Sequence, residues 1–420
     1  MRIGFLVGAS TSFKLFGPIV EKALQDGLEV WLLLRDPPEL RSGPKSYQRP
    51  DPGNVPAFAG CPHVERWDSD ESLVELCRRE QIEAVLSVWL YPRDYALCRA
   101  LQAQGVRWVS LQHGTEHLIL PPETLLEPDV TCMFSSFWAA QATQFFGDRS
   151  PSPHGQILRE GMREKLMVTG CPELDLCARL DPVAIRRKYG IPSDRPVVLW
   201  LPHDYHAHDP WEMLVFRRQW HPRILAQAVR QRRWDLAAQL ATDPTHARLM
   251  RSVRAFCDRA NAFLWVKSRI KDRPAQVDRA VADLFTFDQS YYPATILEAL
   301  AVADLCIHVL SVTVMEAAYA GVASLCLVPP RGSWFMDEPH TSWRSVADDI
   351  LAPETLWHFP GMAFMLSVKE AASRLGEMSL ADFRVDEARR RAYVERFVGL
   401  SDGDSASRVL QAARRDTIQV

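Results

Sequence analysis

The sequence predicts an α/β protein of two parallel sheets side by side, each covered by helices, with a closing helical tail. Three observations carry that expectation. Short β-type apolar runs alternate with helical stretches along most of the chain, which is the pattern of parallel strands joined by helical crossovers. The 420 residues are enough for more than one buried core. The alternation also breaks between Asp181 and Pro196 and then starts afresh.

Taken in order, Ile3 to Val7 reads as a first strand, because its apolar run is too short for a signal peptide and ends at the turn Gly8-Ala9-Ser10. A helical pattern through Phe16, Ile19, Val20 and Ala23 leads to the strand Val30 to Leu34, completing a βαβ unit. The segment Arg35 to Pro62 is rich in Pro, Gly and Arg and shows no period, so it is expected to be a long loop. A helix around Ser72 to Arg79, the strand Ala84 to Val88, a helix from Asp94 to Gln104 and the strand Val106 to Leu111 follow. Val130 to Phe134 and Leu166 to Thr169 complete the first sheet. A short charged helix ends at Tyr189-Gly190, and Val197 to Leu201 opens the second sheet, whose further strands are expected at Phe263 to Lys267, near Leu284 to Phe287, at Leu305 to Val309 and at Ser324 to Val328. Beyond Trp357 the expectation is helical: Val368 to Leu375, Asp386 to Phe397 and Ser407 to Arg415. The domains are therefore placed at residues 1–180 and 181–375, with a helical segment at 376–420.

Composition excludes several classes. With 47% apolar and 24% charged residues and a net charge of −3, the chain has no polycationic track, and nucleic acid is not an expected partner. Nine cysteines form no CxxC pair, which argues against a disulfide scaffold or a zinc cluster. No apolar stretch is long enough for a membrane span, so a cytoplasmic location is expected, with contact at the inner face of a membrane left open.

The segment Leu305 to Gly321 carries the strongest local chemistry. A buried strand runs into Ser311 and Thr313, where a helix beginning there would turn backbone N–H groups toward a phosphate, and Glu316 would accept from ribose hydroxyls. The same residues also read as a plain N-cap with a first-turn carboxylate. Upstream, Thr295 opens an apolar helix that leads directly into this strand. A second site is Trp108 to His117: a strand delivers His113 to Gly114, placing an imidazole at the C-terminal edge of a parallel sheet, with Glu116 as a second candidate base. A third is the loop Leu201 to Asp209, where His203, His206 and His208 stand among aspartates but without a metal-binding frame, so that no metal is expected. Lys267 and Arg269 close a strand with positive charge that can neutralise a phosphate. The turn after the first strand lacks GxGxxG, which argues against a dinucleotide site.

The run Tyr291 to Asp304, together with Ser311 and Glu316, resembles the donor-binding half of GT-B glycosyltransferases and related families: CDP-glycerol glycerophosphotransferases, surface-polysaccharide transferases and UDP-N-acetylglucosamine 2-epimerases. Thr169-Gly170-Cys171-Pro172-Glu173-Leu174-Asp175 resembles the stretch that closes the first domain in these families, and the tail from Asp402 to Arg408 resembles their ending. The resemblance implies two Rossmann-like domains facing a central cleft, an acceptor domain followed by a nucleotide-donor domain, with the last helices returning to the first. It also implies transfer of a sugar or polyol phosphate from a UDP-, CDP- or CMP-linked donor to a saccharide or lipid-linked saccharide acceptor, without a separate cofactor. His113 matches the presumed base of the glycerophosphotransferases, and His203 faces the donor phosphates. At Lys267 the chain departs from the pattern, since Ser268-Arg269 replaces the His-Pro often found there. A 2-epimerase or hydrolase acting on a UDP-N-acetylhexosamine, and a non-catalytic sugar-nucleotide-binding protein, are the alternatives.

Overall fold

The computed structural model describes residues 1–36, 49–55, 60–115, 120–150, 153–202, 245–269, 276–288, 294–329 and 351–414, together with 58, 229, 230, 232, 234 and 292. Among these residues the strands form two wholly parallel sheets. The first holds β1 (Arg2–Val7), β2 (Glu29–Arg35), β3 (His63–Trp67), β4 (Ala84–Val88), β5 (Arg107–Leu111), β6 (Val130–Met133) and β7 (Leu166–Val168), in the order β3-β2-β1-β4-β5-β6-β7. The second holds β8 (Val197–Leu201), β9 (Phe263–Arg269), β10 (Leu284–Asp288), β11 (Leu305–Val309), β12 (Ala323–Val328) and β13 (Ala363–Ser367), in the order β10-β9-β8-β11-β12-β13.

Alternation along the strands sorts side chains between two cores. In the first sheet Ile3, Phe5 and Val7, with Val30, Leu32 and Leu34, face the helices Ser12–Gln25 and Ser405–Ala413. Leu6, Trp31 and Leu33 face the opposite layer, made by the helices Asp70–Arg79 and Tyr95–Ala103. Strands covered on both faces must be apolar at every position, which is why these runs stand out in the sequence. In the second sheet Val197, Leu199, Trp265 and Cys306 pack with Ile185, Ala299 and Leu300. The helix Pro182–Tyr189 starts on Asp181, whose carboxylate accepts the N–H groups of Val183 and Ala184 at 2.8 and 3.2 Å. It stops at Gly190, whose φ of +66° suits glycine.

The chain divides into two compact units, Met1–Arg179 with Ser290–Thr295 and Ala392–Val420, and Leu180–Gln289 with Ile296–Arg391. Inside the first unit the two family-like stretches meet. Asp175 takes the N–H groups of Ser405 and Ala406 at 3.3 and 2.8 Å, capping the last helix, while Arg408 donates to the Thr169 carbonyl at 2.8 Å. Gly170 leaves room for this: a Cβ there would come within 2.5 Å of Ser405 Oγ.

Two strands were not expected from the sequence, and both lie at sheet edges. In β3 the middle residues Val64, Glu65 and Arg66 are exposed, so no apolar run marks it. In β13 the run Ala363-Phe364-Met365-Leu366 fits a helix as well as a strand, and it abuts the helix Val368–Arg374. The helix expected over Asp386 to Phe397 is split, with α-helix Glu387–Tyr393 passing into a wider π turn at Val394–Val398. No helix among the described residues is long and apolar enough to cross a membrane.

Candidate functional site

In open parallel sheets a ligand sits outside the C-terminal ends of the strands, where the order reverses direction. In the second sheet that point lies between β8 and β11. β11 is buried along its whole length and is followed by Leu310, a buried residue with φ of +37°. A bulky side chain seldom adopts that backbone, and the bend turns the next amide back over the strand.

His308 receives that amide. Its Nδ1 accepts the Ser311 N–H at 3.2 Å, so the ring proton is on Nε2, which donates to Ser324 Oγ at 2.6 Å. Burial holds its pKa down to about 3, and the ring is neutral. Ser311 is gripped on its other side as well, since its carbonyl accepts the Trp357 indole N–H at 3.1 Å. The Ser311 hydroxyl donates to Thr313 Oγ1 at 3.0 Å and accepts the Thr313 N–H at 3.2 Å. The N–H groups of Val314 and Met315 bond the carbonyls of Ser311 and Val312 at 3.3 and 3.0 Å. The first turn of the helix Thr313–Tyr319 thus pairs these three amides internally. What it offers a ligand is the half-exposed Ser311 hydroxyl and the amide behind it.

Glu316 is buried one turn further on, and Thr295 is buried at the first residue of the helix Thr295–Leu300. Lys267 and Arg269 lie two apart near the C-terminal end of β9, hence on one face of the sheet. Lys267 is buried with its ammonium 3.5 Å from Asp288 at the end of β10, whereas Arg269 is exposed. Ser311, Thr313, Lys267 and Arg269 therefore share the C-terminal edge of one sheet, with β8 between their strands. His203, His206 and His208 lie outside the described residues, as does Glu116. Among the described residues no group of three or more potential ligands could hold a metal ion.

His113 belongs to the first unit and follows β5. Its carbonyl accepts the Trp89 indole N–H at 2.8 Å. Gln112 is buried and braces the same turn, donating to the Gly114 carbonyl at 3.0 Å and accepting the Phe134 N–H at 2.9 Å. Gly114 has φ of +62°. The backbone is fixed from two sides while the imidazole stays half-buried. Trp89, directly after β4, has φ of +36°, so the switch-point strands β4 and β11 are each followed by a buried non-glycine residue of positive φ.

His308 and Gln112 are the supports that sequence reasoning passed over. Gln112 lies next to His113 and His308 three residues before Ser311, but nothing local distinguishes them from core or loop residues, because their partners Ser324 and Phe134 are brought in by sheet pairing.

The architecture has counterparts among solved structures. A putative UDP-N-acetylglucosamine 2-epimerase from Listeria monocytogenes matches with a TM-score of 0.56 at 12% identity, covering 98% of this chain and 95% of that one. UDP-GlcNAc 2-epimerase from Neisseria meningitidis, bound to UDP-GlcNAc, matches with a TM-score of 0.55 at 9% identity over 99% of this chain and 100% of its own. The wall teichoic acid polymerase TagF matches with a TM-score of 0.52 at 11% identity over 98% of this chain and 88% of its own. The fold is GT-B. No protein-family model matches the sequence, and comparison with curated protein sequences gives no match.

Proposed function

We propose that the chain is a glycosyltransferase moving a sugar, or a polyol phosphate, from a nucleotide-activated donor to a hydroxyl acceptor, in the building of a surface polysaccharide or glycoconjugate. The observation that carries this reading is the organised exit of β11: a neutral buried histidine, His308, holds the turn that presents Ser311 and Thr313 at the switch point of the second sheet. Structural neighbours with the same fold include one bound to UDP-GlcNAc and one soaked with CDPG, which supports a nucleotide-linked donor.

In this reading the second unit holds the donor and the first the acceptor. A donor phosphate draws the Ser311 hydroxyl off the Thr313 amide, so that hydroxyl and N–H both turn to the phosphate oxygens. The seven-residue helix Thr313–Tyr319 is too short for its dipole to do most of the work, and positive charge comes from Lys267 and Arg269, with His203 as a further donor. Glu316 serves the ribose side. His113, with Glu116 as the alternative, takes the acceptor proton as the acceptor oxygen bonds to the transferred group and the bond to the nucleotide phosphate breaks. No metal is assigned a part. A saccharide or lipid-linked saccharide is the acceptor class, and work at the inner membrane face in the cytoplasm is consistent with it.

Thermal denaturation in the presence of UDP, CDP, CMP and GDP tests the reading. A ligand at about a hundred times its Kd adds roughly 2.7 kcal/mol of stability, so one selective upward shift names the donor class. No shift with any of the four would sink it. The second reading, a UDP-N-acetylhexosamine 2-epimerase, is favoured by length: the chain covers 95% and 100% of the two epimerases against 88% of the polymerase. Inversion of a UDP-N-acetylhexosamine without acceptor would establish that reading in place of transfer.

A further inference from the structure

A guanidinium and a carboxylate meet over the switch point of the first sheet, which lies between β1 and β4. Arg35 is the last residue of β2, and Asp94 ends the short turn Pro92–Asp94 after β4. Because β1 lies between β2 and β4, their contact, Nη1 to Oδ1 at 3.4 Å, passes over the end of β1. There Gly8 is exposed, and a Cβ placed on it would meet none of the described residues within 4 Å. Arg93 approaches the other oxygen of Asp94 at 3.5 Å. Both contacts are long beside the roughly 2.7–2.9 Å of a well-made charge-assisted bond. A completed pair exists on the same edge for comparison: Arg49 holds Asp36 through two bonds of 2.8 and 2.9 Å. Burial pushes the Asp94 carboxyl above its usual range even with two arginines beside it. Two aromatic rings border the place, Trp67 under the Arg35 guanidinium at 5.4 Å and Tyr91 under that of Arg93 at 5.7 Å.

We propose that this is a saccharide-binding site, in which Asp94 and Arg35 take neighbouring hydroxyls of a neutral sugar. A sugar hydroxyl donates and accepts at once, so a diol satisfies a carboxylate and a guanidinium that only half satisfy each other. Tyr91, whose ring lies beneath the Arg93 guanidinium, brings to this place the kind of side chain that packs on the C–H side of a sugar. A phosphate fits less well, because it would lie against Asp94, which the nearby charge of Asp70 already disfavours as an anion. The Trp89 indole ties the turn carrying Asp94 to the His113 carbonyl, so a sugar held here lies on a loop fastened to the one that carries the proposed base. That it holds the acceptor rests on the transferase reading; that it binds sugar does not.

Ligand-observed saturation-transfer NMR on the full chain tests this with a panel of neutral sugars (N-acetylglucosamine, glucose, galactose, mannose, rhamnose and their common disaccharides) beside glycerol 3-phosphate and inorganic phosphate. At least one neutral sugar should bind, with Kd raised about tenfold or more in Asp94→Asn and in Arg35→Met and unchanged in Arg78→Met, a surface-pair control. Tyr91→Ala, which removes the ring without stranding a charge, gives the same readout should Asp94→Asn fail to fold. Binding of no neutral sugar by the wild type, tighter binding of the phosphates at this site, or unaltered affinity in the variants would overturn the proposal. Nucleotide-induced thermal shifts in the same variants separate the two ideas: sugar binding without nucleotide binding removes the transferase and leaves this site.

Discussion

His308 Nδ1 accepts the backbone N–H of Ser311 at 3.2 Å, and this bond fixes both the tautomer of a buried imidazole and the course of the chain out of β11. The ring has no room for a second proton, because its other nitrogen already donates to Ser324. Its pKa of about 3 lies below the ordinary 6.5. In the interval the unfolded chain binds a proton that the folded chain does not, so this contribution is intact above about pH 6.5 and is lost as the pH falls toward 3.

The slope reaches about 1.4 kcal/mol per pH unit within that window. Urea unfolding of the wild type and of His308→Gln at pH 7, 6 and 5 should show the wild type losing its advantage as the pH falls. Parallel loss in the two proteins would mean that the buried ring is not the group being titrated. At pH 7 His308→Ala should cost about 2–4 kcal/mol, since it leaves the Ser311 amide and the Ser324 hydroxyl unpaired around a cavity.

Ser311 and Thr313 should separate nucleotide binding from stability. Ser311→Ala removes one cap bond at a half-exposed position and should cost about 1 kcal/mol of stability, whereas Kd for the stabilising nucleotide should rise about tenfold. Lys267→Met should raise it further, and its effect alone should shrink with added salt. Calorimetric titration in low and high salt reads both. Nucleotide affinity that ignores both substitutions would remove phosphate from this edge.

Asp175 and the last helix make a lock that spans the chain. Asp175→Ala should lower stability by about 1–3 kcal/mol, because two N–H groups at a buried helix start lose their partner. Gly170→Ala should do comparable damage, as its Cβ meets Ser405 Oγ at 2.5 Å on a backbone with φ of +84°. Ser405→Gly should recover part of the second loss and none of the first. Chemical denaturation of the four variants gives the comparison, and a harmless Gly170→Ala would mean that the tail does not close onto this turn.

What could be read from the sequence follows burial. Strands covered on both faces, such as Val30 to Leu34 and Leu305 to Val309, appear as unbroken apolar runs and were placed to within a residue or so. The edge strands β3 and β13 have one open side and lack that mark. The Ser311 turn was legible because a buried strand ending in hydroxyl residues is a local pattern. Its support was not, because a histidine inside a strand reads as core until its hydrogen-bond partner on the next strand is known to be Ser324. Asp175 and Arg408 could each be recognised in a motif, but a contact across more than two hundred residues is set by the assembled fold and by nothing near either of them.

Tyr292 belongs to the first unit. Its ring lies on Gly17 in the helix Ser12–Gln25, where an added Cβ would come within 2.2 Å of the ring, and its hydroxyl accepts from Arg179 at 3.1 Å. Propensity and packing make opposite predictions for Gly17→Ala. Exchanging glycine for alanine inside a helix is worth about 1 kcal/mol in favour of folding, while forcing a methyl into a filled space costs about 1–3 kcal/mol. Packing should win, because the obstructing atoms are a buried ring and not the loose end of a side chain. Gly17→Ala should therefore destabilise the protein, and Gly17→Ala combined with Tyr292→Ala should be more stable than Tyr292→Ala alone, the ring having gone and the propensity gain remaining. Denaturation of the two single variants and the double one reads the sign directly. A stabilised Gly17→Ala single variant would place Tyr292 somewhere other than on this helix.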